Sequence, residues 1–222
     1  MTAFSALFSK DLLVEFRSKE IVVSMIAFGV AVILVYAFAF RQAPDVFARF
    51  SPGLLWTVFL FVSVLGLHRS FSLEKEFDAF GLLLSAPVER VTIFLSKWLS
   101  ACLFLMASQI IIVPLFFLFL GLPFPRQVWA WAVLFVLTDL GITALGSLVS
   151  GIVMRVRMSE ILLPILLFPL VSPLLIAAVK STDALMRGLD FNTWRIWPQV
   201  LVTFVIAFGV TGYLIFDYVS EE

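Results

Sequence analysis

The sequence predicts an all-α, polytopic membrane protein with six transmembrane helices, and three observations predict it. Of the 222 residues 62% are apolar, with a mean hydropathy of +1.11, where a soluble domain has about 45–50% apolar residues. Only 14% are charged, against about 25% in a soluble chain. The apolar residues also gather into six continuous runs, each long enough to cross hydrocarbon as a helix, which takes roughly 17–25 residues. The runs do not alternate every second residue, so helices are predicted rather than a barrel. A helix satisfies its own backbone hydrogen bonds, as hydrocarbon demands.

Before the first run, Phe4, Phe8, Leu12 and Phe16 recur at four-residue spacing. That spacing predicts a helix over residues 1–20 lying in the membrane interface, although Asp11 and Glu15 fall within the same arc and make the amphipathicity imperfect. A solvated helix running into the first span fits the same pattern. The first run, Ile21–Phe40, contains Ala37-Phe38-Ala39, which resembles a signal-peptide cleavage site. Its 20 apolar residues exceed the about 7–15 of a signal peptide, so it is read as a retained span.

The second run is Phe50–Leu67, and residues 68–97 form the longest piece outside the spans. At 30 residues it leaves no room for a separate folded domain, so 1–222 is one transmembrane domain. Arg69–Asp78 is charged and free of helix breakers. Gly81 and Ala86-Pro87 punctuate the second part of the segment, and Pro87 is expected to open a helix through Val88–Lys97. Phe80, Leu82, Leu83 and Leu84 are too few to span and too apolar for water. A charged helical stretch beside an apolar elbow suits docking of another protein, and it equally suits a connector that only anchors the spans.

The third run is Trp98–Leu120, where Cys102 reads as a small buried hydrophobe. The fourth, Val128–Met154, holds the one formal charge inside a span core, Asp139. An acid there costs about 2.5–3.5 kcal/mol on insertion scales and faces protein or a cavity. Thr138 and Thr143 are its expected hydrogen-bond partners, in a structural role or in a proton relay. Gly141 and Gly146 offer small surfaces for close packing. The fifth run, Ile161–Val179, carries Pro164, Pro169 and Pro173, which predict a kinked or broken helix acting as a hinge. The sixth is Trp197–Phe216. Trp56, Trp98, Trp129, Trp194 and Trp197 lie towards run ends, where amphipathic rings sit at the membrane surface.

Charge and motif content exclude several functions. Fifteen basic and fifteen acidic residues cancel, so nothing favours nucleic acid as a partner. One cysteine excludes an intrachain disulfide, and one histidine, His68, has no second ligand near it and reads as an interfacial polar cap. There is no GxxxxGK[ST] loop, HExxH or GxSxG, so the chain is expected to be a non-catalytic subunit whose energy comes from a partner or an ion gradient. With six spans both ends face one side, which collects nine Lys and Arg residues against six on the other. That bias places both termini, and residues 68–97, in the cytoplasm.

Ser51-Pro52-Gly53-Leu54-Leu55-Trp56 and Leu65-Gly66-Leu67-His68-Arg69-Ser70-Phe71 resemble the CcmB family, the membrane subunit of the ABC transporter complex of cytochrome c maturation. The likeness continues through Leu73-Glu74-Lys75-Glu76, Gly81 to Arg90, Ile93, Leu95 and Lys97, then Leu162 to Leu167, Pro169-Leu170 and Pro173-Leu174-Leu175, and covers roughly residues 1–216. The chain departs from the family at His68 and lacks the glycine common near Phe77-Asp78, where a continuous helix would replace a tight turn. The resemblance implies an ABC-2-like permease in the bacterial inner membrane, two copies per complex. Its implied partners are a CcmA-like ATPase that binds the ATP, a CcmC-like haem-handling protein and a CcmE-like haem chaperone. Haem would be a substrate of the complex, with no cofactor held by this chain alone. On this reading residues 68–97 grip the ATPase: Arg69, Glu74, Glu76, Glu89 and Arg90 as polar contacts, Phe71 and Leu83 as apolar anchors, with Pro87 at the elbow. The rival readings are an ABC-2-type exporter of a drug, lipid or glycan, a gradient-driven carrier using Asp139, and a scaffold without transport.

Overall fold

A computed structural model describes residues 3–76, 88–125, 127–153 and 159–219. The side chains of residues 44, 73–76, 159, 160 and 217–219 lie outside that description. Eight helices form among the described residues: α1 (Ala3–Ser18), α2 (Glu20–Ala39), α3 (Pro44–Glu76), α4 (Arg90–Phe119), α5 (Val128–Val153), α6 (Ser159–Met186), α7 (Phe191–Trp194) and α8 (Ile196–Val219). Six of them are long and apolar enough to cross a membrane. The surface is inverted relative to a soluble protein: Val35, Phe38, Ile110, Leu118 and Ile206 point outward. Lipid is the solvent for which such a surface is built.

Each apolar run becomes a helix, but several helices outlast their runs. α3 begins at Pro44 and reaches Glu76, and α4 begins at Arg90, eight residues before Trp98. At about 1.5 Å per residue α3 is about 50 Å long and α4 about 45 Å, both longer than the roughly 30 Å hydrocarbon layer. Hydropathy falls where charged residues begin, whereas i→i−4 hydrogen bonding does not. The helix expected through Val88–Lys97 is therefore the start of α4, capped at Glu89. α6 likewise runs on to Met186.

α5 is the hub. It packs against α3, α4, α6 and α8, and 67% of its spanning window is buried against 22% for α2. Glycines permit that close approach, as expected from their positions. A Cβ on Gly141 would stand 2.8 Å from Leu174 of α6, and one on Gly146 would collide with Leu67 of α3. Two positive-φ glycines, Gly121 and Gly188, end α4 and α6. The residue after each donates back to the helix, Leu122 N–H to the Phe117 carbonyl and Leu189 N–H to the Ala184 carbonyl, both at 3.0 Å.

Two tryptophans expected at the membrane surface, Trp56 and Trp194, are buried instead. Trp56 packs among Phe59 and Phe135 and donates its Nε1–H to Thr182 Oγ1 at 2.8 Å. Trp98 is half-buried and donates to the Leu140 carbonyl at 2.9 Å. Trp129 is 86% exposed, as a surface ring should be.

Candidate functional site

The sequence points to the ends of α3 and α4, which flank residues 77–89. Arg69 is exposed on the last turns of α3, and Glu89 is exposed at the start of α4 with Arg90 half-buried beside it. Glu74 and Glu76 belong to α3, but their side chains are not described. Leu83 and Pro87, with the Phe80–Leu84 elbow, the missing turn glycine near Phe77-Asp78 and Met154 to Met158, lie outside the described residues. Phe71 corrects the expectation made for it. It is 5% exposed, and Lys97 Nζ stands 5.9 Å above its ring centroid. It belongs to the core at the base of the segment and presents no apolar anchor to a partner.

Lys97 is the centre of a polar contact that sequence reasoning missed. Its Nζ lies 3.0 Å from Asp11 Oδ1. Ser100, one turn further along α4, places its hydroxyl 3.1 Å from Asp11 Oδ2, with the Ser96 carbonyl as its nearer acceptor. The carboxylate is thus held chiefly by lysine, with Lys10 Nζ also 3.3 Å from Oδ1, and side-chain exposures are 5% for Lys97 and 8% for Asp11. Glu15, one turn after Asp11, accepts the backbone N–H groups of Ile21 at 3.2 Å and Val22 at 2.8 Å. It caps the N-terminus of α2, where a helix offers unpaired amides and partial positive charge. The chain turns between α1 and α2 at Lys19, whose φ is 57°. The two acids that spoil the amphipathic arc of α1 are therefore its inward face, while Leu13, Val14 and Phe16 are exposed. The visible signal was the i, i+4 spacing of two acids within an apolar arc. The partner of Asp11 lies 86 residues away, and nothing local announces it.

Deeper in the bundle, Asp139 is fully buried. Its Oδ1 accepts a hydrogen bond from Gln109 Nε2 of α4 at 2.7 Å, and its Oδ2 has no partner among the described residues. Thr138 and Thr143 are not its partners. Their hydroxyls donate to the carbonyls of Leu134 and Asp139 within α5, at 2.8 and 2.6 Å, the i−4 back-bond that helical threonines favour. Gln109 also lines an apolar groove of about 750 Å³ between α4 and α5, with Leu103, Ile110, Val128 and Trp131.

The proline-bearing helix is not broken: α6 is continuous through Pro164, Pro169 and Pro173. Pro173 cannot donate to the Pro169 carbonyl, and Ser172 Oγ donates to it instead at 2.8 Å. The same repair occurs at Pro52, where Ser51 Oγ donates to the Ala48 carbonyl at 2.9 Å. A serine just before a proline thus restores the bond the proline removes. Of the remaining candidates, His68 Nε2 lies 3.4 Å from Ser72 Oγ. Cys102 is buried, with its Sγ 4.0 Å from Met106 Sδ.

Comparison with known proteins supplies the rest. The sequence model described as "CcmB protein" matches residues 2–212. The chain is similar to heme exporter protein B of Rhodobacter capsulatus, 29% identical over 184 residues that span 83% of this chain and 84% of that one. It is also similar to heme exporter protein B of Pseudomonas aeruginosa, 25% identical over 214 residues spanning 93% and 96% of the two chains. The relative in Paracoccus denitrificans, of the same name, is 29% identical over 186 residues, or 82% and 83%.

Proposed function

The chain belongs to the CcmB family, and from that premise we propose that it is the membrane-spanning subunit of an ABC transporter for cytochrome c maturation. A match over residues 2–212 carries this reading, supported by relatives named heme exporter protein B that align along most of their length. Six spanning helices with an apolar exterior suit a permease. The complex either moves haem across the bacterial inner membrane or uses ATP to release a loaded haem chaperone. A separate CcmA-like ATPase supplies the hydrolysis, because this sequence carries no phosphate-binding loop. A CcmC-like haem-handling protein and a CcmE-like chaperone complete the pathway, with two copies of this chain per complex and both termini in the cytoplasm. The chain itself catalyses nothing and holds no cofactor.

In this mechanism the end of α3, the start of α4 and the residues between them dock on the ATPase through Arg69, Glu74, Glu76, Leu83, Pro87, Glu89 and Arg90. Closure of the ATPase on ATP pushes on the protruding ends of α3 and α4, and α6 yields at Pro164, Pro169 and Pro173. The coupling between the two sites is about 1–3 kcal/mol and acts in both directions. Deletion of the gene tests the reading. Cells lacking the chain should lose covalently held haem from c-type cytochromes while keeping b-type cytochromes, and a plasmid copy should restore it. Normal c-type cytochromes in the deletion strain would overturn the function.

A further inference from the structure

We infer that Asp11, Lys97 and Ser100 clamp the N-terminal helix to the cytoplasmic end of α4, so that α1 moves as one body with the helix that receives the ATPase's push. The inference rests on the coupling function proposed above and adds positioning residues to it. Lys97 lies two turns into α4, which starts at Arg90, and so stands next to the proposed docking segment. The clamp meets three helices there: Asp11 on α1, Lys97 and Ser100 on α4, and Phe71 of α3 under the lysine. Glu15 adds the fourth by capping α2. The two helix ends that leave for residues 77–89 are thus tied to α1 at their base.

The chemistry favours fixing a position over adding stability. Burying a lysine and an aspartate sacrifices hydration, and well-packed apolar residues of similar volume often hold two helices as strongly. An apolar contact, however, lets one helix slide or roll on the other. Here the Lys97 ammonium lies 3.0 Å from one carboxylate oxygen, and the Ser100 hydroxyl, which also reaches the Ser96 carbonyl of its own helix, stands 3.1 Å from the other, one helical turn on. That geometry is satisfied in one register only. Leu7 on α1 packs against Ile93, Phe94, Leu148 and Phe216, so the same register seats a small apolar cluster near the clamp.

The test uses the purified complex with its ATPase, in a chain carrying Cys102→Ala and Leu7→Cys. Asp11→Asn and Lys97→Met should each raise maleimide labelling of Cys at position 7 by about ten-fold, as α1 opens locally. Each should also lower the yield of covalent cytochrome haem per ATP hydrolysed by about ten-fold, with the ATPase still bound. The charge swap Asp11→Lys with Lys97→Asp, and the conservative Lys97→Arg, should restore both readouts in part and serve where a single variant fails to accumulate. Unchanged labelling, or raised labelling with unchanged yield per ATP, would overturn the clamp as a positioning device. If charge reversal at Glu74 and Glu76 leaves ATPase binding intact, the docking reading fails instead, and the labelling arm still judges the clamp.

Discussion

Two buried polar contacts hang on α4, at Lys97 and at Gln109, and they are built differently. Near the helix start, a full ion pair joins α4 to α1, with the Ser100 hydroxyl 3.1 Å from the second carboxylate oxygen. Twelve residues deeper, about 18 Å along the axis, a single neutral amide meets the carboxyl of Asp139, whose second oxygen is left without a partner among the described residues. Depth explains the contrast. Close to the membrane surface two charges and their remaining valences can be satisfied by helix ends and side chains that gather there. At mid-span each further polar group would itself cost insertion energy, so the acid is held by one neutral donor rather than by a second charge. The shallow contact fixes the register of a helix next to the proposed docking segment, whereas the deep one joins α4 to the hub helix α5.

The sharpest way to break the comparison is to remove the shallow carboxylate. Asp11→Ala should be the most destabilising of these changes, because it takes an anionic partner from a buried lysine, read as a lowered melting temperature of the purified protein. Replacing both residues, Asp11→Leu with Lys97→Met, should cost less than Asp11→Ala alone, since no charge is then left behind. A double variant worse than the single would show that the pair is needed for stability itself.

The deep contact should be cheaper. Gln109→Leu should cost about 0.6 kcal/mol and no more than about 1.7 kcal/mol, the average and the maximum measured for hydrogen bonds between membrane helices. Asp139→Asn keeps an acceptor for Gln109 and should change stability by under about 1 kcal/mol, with cytochrome c maturation intact. Loss of maturation in a stable Asp139→Asn protein would move this site from packing to transport and revive the gradient-driven carrier. Smallest of all, His68→Ala should alter stability by no more than about 0.5 kcal/mol and leave the haem content of the complex unchanged; a fall would assign His68 a role in haem handling.

The six spans were legible because hydrocarbon imposes one requirement, a continuous apolar run, and each run keeps it within a few residues at the membrane core. Helix ends were not, because α3 and α4 continue through charged residues whose side chains no longer need lipid. Pro164, Pro169 and Pro173 were legible as helix perturbers, but α6 stays continuous through all three; Ser172 restores the bond that Pro173 removes, and such a Ser-Pro pair is a local signal that can be read in advance. Asp11 and Glu15 were misjudged for a physical reason. Amphipathic logic sends acids to water, whereas here lipid takes the apolar face and the acids turn to the protein. Lys97 and Gln109 carried no local mark: a lysine at a span boundary and a glutamine within an apolar run gain meaning only when the chain brings α1 and α5 alongside them.

The central claim is that this subunit has no motor of its own and is gripped by an ATPase through the end of α3, the start of α4 and the residues between them. Purification from native membranes, for the unaltered chain and for Glu74→Lys with Glu76→Lys, tests it most directly. The unaltered chain should bring down an ATPase subunit bearing a phosphate-binding loop, and the charge-reversed chain should lose most of it while still inserting in the membrane. A chain that purifies without an ATPase, or that holds one equally well after both reversals, contradicts the claim.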